Sequence, residues 1–295
     1  MTNHSGRDGA TPGYLPSLRR QYRHLFLARL WRLGWISLTL SAPGGCQSFS
    51  YQTLIENGAL HSEVLQSVPF KHRLFKPTRD SSQSDQILHI YIEGDGIPWW
   101  DRSFVSPDPT PEHPLMLETM LADPSPSLYL GRPCYFHVDD ASCSAADWTM
   151  DRYSQSVVES MTAIVEQLAA GKQSLWLIGH SGGGTLAVLI GRRLSRPVNV
   201  LTIAANLDHQ AWTNYHQYTP MLGSINVASD TVRNSEMKEI HWYGKADNNV
   251  LPQWTQAYCQ NRQAICLPAE ADHSRGWLKQ WREILTTAGT YFRPF

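Results

Sequence analysis

Ser181 lies in the pentapeptide Gly179-His180-Ser181-Gly182-Gly183, with a glycine two positions to either side. Before it runs the wholly apolar stretch Leu175 to Ile178, and after it a helix-like run from Thr185 to Leu194. A serine on so sharp a strand-to-helix turn takes a strained backbone and lifts its Oγ above a sheet, while the glycines keep strand and helix from colliding. At ordinary Gly and Ser frequencies roughly 0.1 such G-x-S-x-G pentapeptides occur by chance in a chain this long, so the flanking elements carry most of the weight.

A free hydroxyl is a poor nucleophile. It needs an imidazole to take its proton and a carboxylate to hold that imidazole in the reactive tautomer. Of the 12 histidines, His273 stands late, closing the run Ala269 to His273, after the last candidate strand and before the terminal helix. Asp247 follows the candidate strand Glu239 to Tyr243, within Gly244 to Pro252, and Asp208 is the alternative carboxylate. Asp272 reads as a partner of Arg275. His180 reads as a packing or pocket residue, and His137 with Asp139 and Asp140 as a charge-lined loop without assigned chemistry.

Negative charge developing on an acyl oxygen needs donors. The helix after Ser181 presents its N-terminus, so the Gly182 amide is one candidate. The turn Glu93-Gly94-Asp95-Gly96 follows an apolar strand and supplies a second, the Asp95 amide, with Gly96 next in order. Ile97, Trp99 and Trp100 beyond that turn, and Met221 with Leu222 between the last two candidate strands, are candidate walls of an acyl-binding site.

The order of strand, GHSGG turn, helix, GKADNNVLP and then ADH resembles the α/β-hydrolase superfamily over Gln86 to Trp281. The resemblance implies a carboxylate after the seventh strand and a histidine in the next loop, which assigns Asp247 and His273 to a triad with Ser181 and Gly182 with Asp95 to the oxyanion hole. The EGDG turn departs from the commoner His-Gly form of that loop.

The elements that must position these residues alternate as in an α/β protein. Candidate strands are Phe70 to Lys76, Gln86 to Glu93, Ser127 to Leu130, Ser174 to Gly179, Val198 to Ala204 and Glu239 to Tyr243. Several are unbroken apolar runs, as expected of parallel strands covered on both faces. Helical spacing marks Tyr153 to Leu168, the stretch after Ser181 to Leu194, and Trp277 to Leu285. The segments Asp80 to Asp85 and Ser106 to Pro114 read as surface loops. A mostly parallel central sheet with helices on both faces is expected, and the interval Asp208 to Lys238 is too short for a large cap domain.

Residues 1–45 carry six of the 25 basic side chains and one of the 26 acidic ones, leaving residues 46–295 with 19 against 25, a net of −6. Such an acidic body disfavours nucleic-acid binding, and its 250 residues suffice for one domain. The leader runs from arginines at 7, 19, 20, 23, 29 and 32 through the apolar stretch Leu33 to Ala42 to Pro43-Gly44-Gly45-Cys46, the order of a secretory signal ending at a lipid-accepting cysteine. An N-terminal helix, Leu25 to Leu40, lying on a membrane or on the body is the alternative. Residues 1–45 are therefore expected to be a signal and 46–295 the mature domain, exported to the bacterial envelope or periplasm and attached to the membrane through a lipid on Cys46. The other four cysteines form two local couples, Cys134 with Cys143 and Cys259 with Cys266, read as two bridges worth roughly 2.5 kcal/mol each, with free buried thiols as the alternative. No cysteine–histidine spacing fits a metal site, and no cofactor is implied. The expected function is hydrolysis of a small acyl substrate, a carboxylic ester or related compound, through an acyl-enzyme. An amidase or peptidase, and a noncatalytic envelope lipoprotein that keeps the fold for binding, are the alternatives.

Overall fold

The structure is a computed structural model that describes residues 50–79, 86–101 and 103–292. The leader, Cys46 and the loop 80–85 lie outside the described residues. The main sheet has eight strands: β1 (Leu60–Gln66), β2 (Lys71–Pro77), β3 (Ile87–Ile92), β4 (Ser127–Leu130), β5 (Ser174–His180), β6 (Val198–Ile203), β7 (Met237–Gly244) and β8 (Ile265–Ala269). Their spatial order is β1-β2-β4-β3-β5-β6-β7-β8. The pairs β1·β2 and β2·β4 are antiparallel and the remaining pairs parallel. A two-stranded ribbon, Trp99–Trp100 with Phe104–Val105, stands apart.

Strand alternation explains why the parallel strands have no polar side. In β5, Leu175 and Leu177 join one buried cluster with Val157, Met161 and Leu186, while Trp176 and Ile178 join the other with Met116, Trp277 and Trp281. The first cluster is closed by helices α3 (Gln155–Leu168) and α4 (Gly182–Arg193), and the second by α2 (Leu115–Leu121) and α7 (Trp277–Tyr291). Both faces are thus covered, as right-handed β-α-β crossovers require. The remaining helices are α1 (Tyr51–Glu56), α5 (His209–His216) and α6 (Pro252–Arg262).

Between β6 and β7 the only helix among the described residues is the eight-residue α5, so the fold carries no large cap. Cys134–Cys143 closes a loop after β4, and Cys259–Cys266 ties α6 to β8. Two disulfides are compatible with export to an oxidising compartment. Among the described residues no helix is long and apolar enough to cross a membrane.

Candidate active site

The parallel strands end on one edge of the sheet, and three of those ends bring Ser181, Asp247 and His273 together. Ser181, after β5, has φ 50° and ψ −122°. Such a backbone is unfavourable for a side-chain-bearing residue and persists only when its surroundings over-determine it. They do so here. The Ser181 amide donates to Ile203 O (3.1 Å), and the Ser181 carbonyl accepts from Thr185 N (3.2 Å) and Asn206 N (3.3 Å). A Cβ on Gly183 would lie 2.2 Å from Ile92 O, and one on Gly179 2.3 Å from Gly183 O, so helix α4 can start this close to β3 and β5 only where both residues are glycine.

His273 Nε2 is 3.1 Å from Ser181 Oγ, and its Nδ1 is 2.9 Å from Asp247 Oδ2. A carboxylate accepts only, so Nδ1 carries the proton and the Nε2 lone pair faces the hydroxyl. Asp247 is 4% exposed, and its other oxygen accepts from the amides of Asn249 and Val250, both at 2.9 Å. The loops holding the two residues are pinned to one another by Lys245 N to Ala269 O and Ala246 N to Ala271 O, each 3.0 Å. Asp208, the alternative carboxylate, instead caps α5, accepting from Ala211 N (3.1 Å) and Asn226 Nδ2 (2.9 Å). Asp272 turns its own loop through the amides of Ser274 and Arg275.

The Gly182 amide opens α4 and has no carbonyl one turn earlier to bond. Gly94 lies against the serine: a Cβ there would sit 3.4 Å from Ser181 Cβ. Asp95 therefore follows within reach of the same spot. A cavity of about 960 Å³ surrounds Ser181 and His273 and is lined in part by Ile97, Trp99, Met221, Trp212 and Tyr218. Leu222, expected there from the sequence, points away and is 89% exposed, because the chain turns at Met221 and buries that side chain instead. Trp100 is 55% exposed on the ribbon.

No protein-family model matches the chain, and no curated protein matches it by sequence. Solved structures do match. An α/β serine hydrolase without a lid from Xanthomonas campestris aligns at TM-score 0.54 and 13% identity over 81% of this chain and 97% of that one. A Pyrococcus furiosus esterase aligns at TM-score 0.55 and 13% identity over 81% and 94%. A serine hydrolase homologue from Coxiella burnetii gives TM-score 0.51 and 9% identity over 79% and 97%. The chain has the α/β-hydrolase fold.

Within the α/β-hydrolase sheet, two ionisable groups behind Ser181 depart from ordinary behaviour. Burial, and next the adjacent His273 ring, push His180 down to about 3. Its Nε2–H donates to His273 O at 2.7 Å, an acceptor shared with Trp277 Nε1 at 3.2 Å, so a neutral His180 holds the backbone of the His273 loop. Local sequence marks His180 as a pocket residue but contains no sign of that long-range bond.

Burial pushes Glu93 up to about 7 against the pull of the Met116 and Gly94 amides and the Tyr129 hydroxyl. Since the folded carboxyl holds its proton more tightly than the ordinary value of 4.5, stability falls as pH rises from about 4.5 to 7 and stays lowered above that. Glu93→Gln, which cannot ionise, is expected to gain about 2 kcal/mol relative to wild type between pH 5 and pH 8. Urea unfolding at the two pH values measures the change, and a wild-type-to-variant difference independent of pH refutes it.

Proposed function

We propose that this chain is a serine hydrolase acting on a carboxylic ester or related acyl compound through an acyl-enzyme. The observation that carries the reading is the unbroken Ser181–His273–Asp247 chain of contacts, with distances of 3.1 and 2.9 Å, at a cavity of mixed polar and apolar lining.

Ser181 Oγ attacks the acyl carbon as His273 Nε2 takes its proton, and Asp247 stabilises the resulting imidazolium. The carbonyl oxygen, now anionic, is held by the amides of Gly182 and Asp95. Collapse of the tetrahedral species breaks the acyl–oxygen bond, and His273 gives the proton to the departing alcohol. Water then repeats the sequence against the acyl-serine, releasing the acid and restoring Ser181. Ile97, Trp99 and Met221 hold the apolar part of the substrate, and the lack of a large cap leaves the site open to solvent on one side.

A fluorophosphonate probe tests the reading. The full chain is expected to be labelled at neutral pH and Ser181→Ala to be unlabelled. Equal labelling of both, or of neither, removes the enzyme and leaves a noncatalytic binding module.

A further inference from the structure

Beneath the two proposed oxyanion donors lies an ionic cluster in which two buried arginines close on Asp95, whose side chain is 18% exposed. Arg132 Nη1 donates to Asp95 Oδ1, Arg152 Nη1 donates to Oδ2 (2.9 Å), and the Tyr153 hydroxyl contacts both oxygens at 2.9 and 2.8 Å. The Tyr135 hydroxyl donates to the Asp95 carbonyl at 2.9 Å. Every polar atom of Asp95 except its amide nitrogen is therefore engaged, and that amide donates to no other described residue.

The arginines are themselves held. Arg132 Nη2 donates to Arg152 O (3.2 Å) and its guanidinium lies 5.0 and 5.6 Å from the Tyr135 and Tyr153 ring centres. Arg152 Nε donates to Thr149 O (2.6 Å). Side chains of the two arginines are 2% and 5% exposed. A lone carboxylate beside a developing oxyanion would oppose the reaction, and its partial withdrawal from water would by itself favour its neutral form. Instead the Arg152 and Arg132 charges hold Asp95 well below the usual carboxylate range. Two cations against one anion leave the cluster with a net charge of +1.

The cluster touches the nucleophile turn directly. A Cβ on Gly182 would lie 2.0 Å from Asp95 Oδ1 and 2.4 Å from the Tyr153 hydroxyl. Both arginines and both tyrosines belong to one connection, from Gly131 after β4 to the start of α3, whose first half is closed by Cys134–Cys143.

We propose that Arg132, Arg152 and Tyr135 are positioning residues that fix the Asp95 amide toward the anionic oxygen and set a net positive charge behind it. A group that acts through a donor used only at the tetrahedral stage changes kcat and leaves ground-state binding nearly intact. Deleting one oxyanion donor outright costs roughly 10²- to 10³-fold in kcat, and loosening one costs less.

The inference rests on the hydrolase reading, and the experiment separates the two. With p-nitrophenyl butyrate as substrate and the full chain, turnover that depends on Ser181 is required first; its absence overturns the hydrolase reading before any cluster variant is measured. Given that turnover, Arg152→Gln is expected to lower kcat about 10- to 100-fold with KM within about threefold of wild type, and Arg152→Lys to recover part of the loss. Tyr135→Phe, which removes one hydroxyl and keeps the ring over Arg132, is expected to lower kcat about fivefold, with a fall of only a few degrees in the thermal midpoint from the lost hydrogen bond. An aryl trifluoromethyl ketone, which binds as a tetrahedral adduct, should lose affinity in step with kcat/KM. Wild-type kcat in folded Arg152→Gln and Tyr135→Phe overturns the proposal, as does a rise in KM at constant kcat, which would make Arg152 a ground-state substrate contact. If Arg152→Gln fails to fold, Tyr135→Phe decides alone.

Discussion

Replacing His273 by Ala is expected to lower kcat by about 10⁵- to 10⁶-fold with little change in KM, the scale seen when one member of an interdependent triad is removed. The physical reason is that, among the described residues, Ser181 Oγ has one base within reach, the His273 nitrogen at 3.1 Å. His180, although adjacent in sequence, cannot replace it, because its Nε2–H is committed to the His273 carbonyl and burial opposes its protonation. Asp247→Asn is expected to lose less, about 10⁴-fold, since a carboxamide can turn its NH₂ toward Nδ1 and favour the wrong tautomer while the geometry survives. Steady-state turnover of a p-nitrophenyl ester measures both, with circular dichroism to establish folding. A folded His273→Ala protein that keeps more than one hundredth of wild-type kcat would show that another group accepts the serine proton.

The central strands and the Ser181 turn are legible in the sequence because their signals are local. An unbroken apolar run such as Leu175 to Ile178 needs cover on both faces, and a serine among glycines straight after it specifies the turn. β1 and β8 were missed for a common reason, that both are sheet edges. β1 exposes Val64 beside His61, Glu63 and Gln66 without a clean alternation, and β8 contains Pro268, which the interior of a sheet excludes and an edge tolerates. Helices α5 and α6 were missed because each is polar around much of its circumference and buries few residues. At the site, Asp247 and His273 are candidates by their order in the chain; the structure sets them in contact, His273 following β8, a strand the sequence does not mark. Arg132, Arg152 and Tyr135 left no such trace. Their relation to Asp95 is one of charges paired across up to 57 residues of sequence, and no local pattern encodes it. Leu222 shows the converse, since apolar character alone does not say which of two neighbours turns inward.

Gly179→Ala and Gly289→Ala are expected to move stability in opposite directions although the chemical change is the same single methyl group. At Gly179 the added Cβ would meet Gly183 O at 2.3 Å, Gly183 C at 2.5 Å and Gly184 N at 2.6 Å. All three are backbone atoms in the first turn of α4, so no side chain can swing aside and the helix must shift away from β5. Overpacking of that kind costs about 3 kcal/mol, the upper end of its usual range, because the contacts are with backbone. The shift would also displace Ser181, whose position depends on the Ile203 and Asn206 contacts across the adjacent strand end, so activity should fall even at temperatures where the variant stays folded. Gly289 lies near the end of α7 with nothing within 4 Å of its added Cβ and without a positive φ. There the methyl group only narrows the unfolded ensemble and favours helix, a gain of about 0.5–1 kcal/mol. Urea unfolding of the two variants beside wild type gives both signs in one experiment. A Gly179→Ala protein with the wild-type midpoint would mean that α4 can leave the strand at little cost, and the close approach that lifts Ser181 above the sheet would then have no energetic basis.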